Sequence, residues 1–160
     1  MQSFSPYVVY VHSILRYFIL FFALIVVIQS LTGLMGKKKF VKTNRIMALF
    51  LLICCDIQLL LGLILYYSKV LSTGILSSGT VMTDPANRFW AVEHSAGMLI
   101  AIILVHIGYT FTKRNMDDDR KFKRLFWCTF IALGIFVAMI PWEGKQVVGR
   151  PNMPALHVAS

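Results

Sequence analysis

Metal-type cysteine spacing is missing from this sequence. Its three cysteines are Cys54, Cys55 and Cys128, and none stands in a CxxC or Cys/His arrangement. That excludes a zinc-ribbon or thioredoxin-like reading and leaves Cys54 and Cys55 as small packing residues. Internal repeats, low-complexity segments and a domain boundary are lacking too, so residues 1–160 read as one domain. Charge is scarce: charged residues make up 14% and hydrophobic residues 58%, with mean hydropathy +0.71. No ordinary soluble fold is that apolar. No substrate-binding motif is visible, and too little chain lies outside the apolar runs to act as an independent enzyme.

What is present is four long apolar runs. A hydrocarbon core takes about 20 helical residues to cross. Runs at about residues 7–35, 46–70, 88–112 and 125–142 meet that requirement and nearly exhaust the chain. The first lacks a basic leading region and is longer than a signal-peptide core, so it is expected to span and not to be removed. Short connections predict antiparallel neighbours, hence an all-α, integral-membrane four-helix bundle of up-down-up-down topology. Trp90, Trp142, Tyr66 and Tyr67 fall near one interface and Tyr109, Phe126 and Trp127 near the other, as aromatic belts do. The longest connection, Leu71 to Asn87, is rich in Ser, Thr and Gly and is expected to cap the outer mouth. Asp117, Asp118 and Asp119 are expected to form a solvated turn.

The formal charge of +9 does not indicate nucleic acid, because of how it is distributed. Lys37, Lys38, Lys39, Lys42 and Arg45 cluster in the first connection. Lys113, Arg114, Arg120, Lys121, Lys123 and Arg124 cluster in the third. The second connection and the tail hold only Lys69, Arg88, Lys145 and Arg150. This asymmetry of eleven to four places the first and third connections in the cytoplasm and both termini outside. The expected location is a bacterial inner membrane, multi-pass, with membrane lipid and other complex subunits as partners.

Ionisable groups inside a span are costly, so each requires a reason. Those within the runs are His12, Arg16, Asp56, Glu93, His94 and His106. Helical rise puts His12 roughly 8 Å and His94 roughly 9 Å below the outer end of their runs. Two imidazoles at matching depth on different helices are suited to hold one metal or haem iron between them. Ser95, Ala96 and Gly97 are small enough to admit a flat macrocycle beside His94, and Met98 could pack against it. Arg16 lies one turn below His12 and could meet a haem propionate, a quinone oxygen or Asp56. Glu93 is expected to face the interface or Arg88. His106 lies about 120° round the helix from His94, with no histidine at its level, so a second bis-histidine site is not expected. A pairing of His106 with Met47 is the weak alternative. His157, Pro151 and Pro154 mark the tail as solvated and extended. Ordinary interhelical hydrogen bonding is the competing account of both histidines.

Three stretches carry a family resemblance: His12-Ser-Ile-Leu-Arg16-Tyr, Gln58-Leu-Leu-Leu-Gly62-Leu-Ile-Leu-Tyr66, and Glu93-His94 followed by His106. Together they resemble small bacterial four-helix membrane proteins of the cytochrome b or b561-like type. The resemblance implies a haem b ligated by His12 and His94. The first functional reading adds Arg16 neutralising a propionate and electron transfer between the quinone pool and an outer-face partner. The fourth run has no histidine, which departs from an arrangement of two haems on four histidines. The alternative function is a non-catalytic subunit of a larger respiratory or secretion complex. A small carrier or proton pathway using Asp56, Arg16 and His106 is a third reading.

Overall fold

A computed structural model describes residues 5–150. It contains helices and no strand among the described residues. Four helices are long and apolar enough to cross a membrane. We label them α1 (Ser5–Met35), α2 (Lys42–Leu71), α3 (Pro85–Lys113) and α4 (Asp118–Met139). His157, Pro151 and Pro154 lie outside the described residues.

The helix ends follow local chemistry. Pro6 sits in the first turn of α1, where its missing N–H costs no hydrogen bond. At the start of α2 the Asn44 side chain reaches back to accept from the Val41 amide at 3.1 Å. Lys42 and Arg45 are therefore helical, several residues ahead of the expected start. Asp84 caps α3: its Oδ1 accepts from the Asn87 amide at 2.9 Å, with Pro85 at the first helical position. Asp84→Ala should lower stability by about 1 kcal/mol. Thermal unfolding in detergent checks this; an unchanged midpoint would mean that the cap contributes nothing.

The fourth helix differs most from expectation. Asp118 and Asp119 form its first turn and are no free turn, as carboxylates are favoured at the positive end of a helix. It ends at Met139, not Trp142. Pro141 forces Ile140 into extended backbone, with φ −66° and ψ 130°.

Two helices carry a turn of wider π geometry. Tyr67–Leu71 closes α2, and Phe89–Glu93 lies near the start of α3. Such turns accommodate one extra residue and re-aim the side chains beyond them. The second of them immediately precedes His94.

α1 packs on α2 and on α4, and α3 packs on the same two helices. Contacts fix relative directions. Gln58 meets His12 and Asn44 meets Gln29, so α1 and α2 run oppositely. Asp56 meets His106 and Tyr66 meets Ala91, so α2 and α3 do as well. The core between them is built from Ile19, Ala23, Val26, Leu51, Cys55, Ala101, Val105, Ala132 and Phe136. Cys55 is buried there, as expected of a packing residue. Many large apolar side chains, such as Phe21, Leu60 and Ile103, instead point outward. Water would not tolerate that surface, but acyl chains do.

Candidate functional site

The polar groups inside the helices gather in two places. The first lies near the end of the bundle where α2 finishes and α3 begins. His12 comes from α1 and His94 from α3. Both side chains are partly buried.

His94 is firmly oriented. Its Nδ1 lies 2.9 Å from the Met139 carbonyl at the end of α4. A carbonyl can only accept, so Nδ1 carries the proton and Nε2 keeps a lone pair. The Phe89 and Trp90 rings stand 5.7 and 5.5 Å from the imidazole, centre to centre. The π turn that contains them sets this arrangement.

His12 is placed by α2. Gln58 Nε2 donates to its carbonyl at 3.0 Å. A Cβ on Gly62 would stand 3.5 Å from His12 Cε1, so the imidazole lies in ordinary contact over that glycine. His12 Nδ1 is buried with no hydrogen-bond partner among the described residues. A buried imidazole nitrogen without a partner is expensive, and a ligand would satisfy it.

Arg16 lies one turn further in and is 8% exposed. It donates to the Tyr17 hydroxyl at 3.0 Å and lies over the Trp142 ring at 5.9 Å. It is therefore turned into the bundle, one helical turn from His12.

The segment after α4 covers this end of the structure. Lys145 Nζ donates to the Ala138 carbonyl at 2.6 Å and lies over the Phe89 ring at 5.4 Å. Arg150 lies over the Trp90 ring at 4.3 Å, and its amide donates back to the Pro141 carbonyl. Within the connection Leu71 to Asn87, from which a cap is expected, side-chain bonds are local, as between Ser78 and Thr80 at 2.6 Å. The covering role falls to residues 141–150 because Pro141 turns the chain and cations then settle on the α3 aromatics.

The room expected beside His94 is filled. A Cβ on Gly97 would stand 2.7 Å from Met139 Cγ and 2.9 Å from its sulfur. The glycine thus receives a side chain of α4. Glu93 pairs with Arg88 at 2.7 Å, as expected.

The second polar place corrects an expectation. Asp56 is not joined to Arg16. Its Oδ1 lies 2.8 Å from His106 Nε2, across the seam between α2 and α3. The two side chains are 44% and 46% exposed on the outer surface. His106 thus has a carboxylate partner and not Met47. Depth comparison restricted to histidines missed it. A helix side chain leans toward its own N-terminus. On oppositely directed helices, Asp56 and His106 therefore lean toward one another.

No group of three or more His, Cys, Asp or Glu able to hold a metal ion is found among the described residues. A two-imidazole site lies below that number. No family model matches this chain, and no curated protein or solved structure matches it significantly.

Proposed function

We propose that this chain is a b-type haem-binding electron-transfer protein, or cytochrome b-like subunit, of a bacterial inner membrane. His12 and His94 would be its axial ligands. One observation carries the reading: on two different helices, one imidazole has its Nδ1 tied to a carbonyl and its Nε2 lone pair left over, while the other has a buried nitrogen lacking any partner among the described residues. An imidazole tied in this way is a ligand in a fixed tautomer and orientation. These residues fit a bis-imidazole group on that count. Met139 over Gly97 must move for a macrocycle to lie there, and its unbranched side chain can. When bound, haem supplies one-electron transfer. The chain's own parts orient the ligands, keep water out through residues 141–150, and place Arg16 where a carboxylate or a quinone oxygen would be met. The b561-like resemblance points the same way. No independent catalytic activity is expected.

The reading includes an up-down-up-down bundle with both termini outside, supported by the basic asymmetry. Cysteine at Gln146 should then react with an impermeant maleimide in intact cells, and cysteine at Lys38 should not. Reaction at position 38 alone would invert the topology.

The deciding experiment is a visible spectrum of the protein purified after expression with haem supply. A Soret band and a reduced α-band of b type are expected. A colourless preparation that takes up no added haem would remove the reading. A non-catalytic subunit role, which suits the small share of chain outside the helices, would then stand first.

A further inference from the structure

A groove runs along the last turns of α3. Ile103, Ile107, Thr110 and Arg114 recur at spacings of three and four, so they share one face. With His106 and Phe111 they line a shallow, mostly apolar hollow of about 270 Å³. Ile103 and Ile107 are exposed, on the surface that acyl chains would meet. From Ile103 to Arg114 the helical rise amounts to roughly 16 Å, about half of a ~30 Å hydrocarbon core. The groove thus reaches from the end of the span to mid-membrane, the depth of one leaflet.

Two arginines from different helices meet at its mouth. Arg114 leaves α3 in extended backbone, with φ −76° and ψ 148°. Arg124 comes from the second turn of α4. Their guanidinium carbons stand 5.4 and 4.4 Å from the centre of one and the same ring, that of Phe111. A helix side chain leans toward its own N-terminus, and α4 begins at this end, so Arg124 reaches outward to the mouth. Lys113, over the Tyr109 ring at 4.6 Å, adds a third cation. Among the described residues no carboxylate pairs with Arg114 or Arg124, and the neighbouring Asp117 is taken by Arg120 at 3.2 Å.

Uncompensated cations at the end of the span, above an apolar groove one leaflet deep, match a molecule with an anionic head and a hydrocarbon tail. We propose that this groove holds one anionic phospholipid, from the leaflet on the side of the basic connections. Its phosphate lies between Arg114 and Arg124, whose guanidinium forks suit phosphate oxygens. One acyl chain follows Ile107 toward Ile103. A soluble acidic partner could meet the arginines but could not fill a groove that lies in hydrocarbon. A second copy inserted in the same sense would bring its own Arg114 and Arg124 to the same level, where like charges repel. This inference does not depend on haem binding.

The test is native mass spectrometry of the full chain, stripped of lipid in detergent and then titrated with phosphatidylglycerol or with phosphatidylcholine of identical acyl chains. The natural chain should retain one phosphatidylglycerol and release phosphatidylcholine. Arg114→Ala and Arg124→Ala should each weaken retention roughly fivefold, and the double variant roughly thirtyfold. Lys38→Ala with Lys39→Ala removes the same charge from the first connection and should leave retention unchanged. Ile107→Trp keeps both arginines but fills the groove, and should also lose the lipid, even if the double arginine variant fails to fold. Equal retention of the two lipids overturns the proposal, as does retention of neither. So does a loss as large in the Lys38 and Lys39 variant as in the arginine variant, which would mean attraction to charge without a site. A lipid-free mass of two chains, or retention indifferent to Ile107→Trp, overturns it as well.

Discussion

His94→Ala, purified with haem supplied, should lack the b-type α-band, and His12→Ala should lack it as well. His106→Ala should keep it. The distinction follows from position. His94 is held by the Met139 carbonyl among the Phe89 and Trp90 rings, and His12 on α1 has a buried Nδ1 with no partner among the described residues. His106 is bonded to Asp56 on the outer surface. Removal of a group that only orients a ligand already costs about 10–100-fold in affinity. Removal of a ligand should cost more, so haem content per chain should fall by well over tenfold. Equal haem content in all three variants would refute the assignment.

Gly33→Leu should be the most destabilising single change in the bundle. A Cβ at Gly33 would stand 2.5, 2.6 and 2.7 Å from three ring carbons of Phe122. Phe122 is 1% exposed, and its ring lies 4.9 Å from the Phe40 ring. It has nowhere to go without parting α1 from α4. Inserting a few carbons into a packed core costs about 1–3 kcal/mol, and leucine adds four beyond what the site allows. Gly33→Ala should give a smaller loss, and Phe122→Leu in the same chain should recover part of it. Urea or SDS unfolding in mixed micelles reads the effect. A Gly33→Leu protein as stable as the natural one would show that the two helices separate freely there.

Much of this could be read from residue order. The four helices follow from hydropathy alone, because nothing but length and apolarity is needed to fill a bilayer. Their ends are set by finer chemistry. Pro141 stops α4 before Trp142, and Asp118 and Asp119 start it early. Helical rise converts residue number into depth, which is why His12 and His94 are expected at a similar level. Depth says nothing of rotation, and rotation decides the rest. It puts Met139 over Gly97, turns Arg16 away from Asp56, and brings Asp56 to His106. The π turn before His94 alters rotation within one helix, and no residue in Phe89–Glu93 announces it.

The two π turns have a consequence for motion. Both lie at the same end of the bundle, in Tyr67–Leu71 and Phe89–Glu93. Wider turns give up well-aligned amide bonds, so this layer opens more readily than the straight helices below it. Amide hydrogen exchange should be fastest from Phe89 to Glu93 and slowest around Val105, with Val26 on α1 equally protected. His94 lies at the border between these layers. In the proposed reading, a planar guest would enter by the breathing of these end turns and would not have to part the helices in mid-membrane.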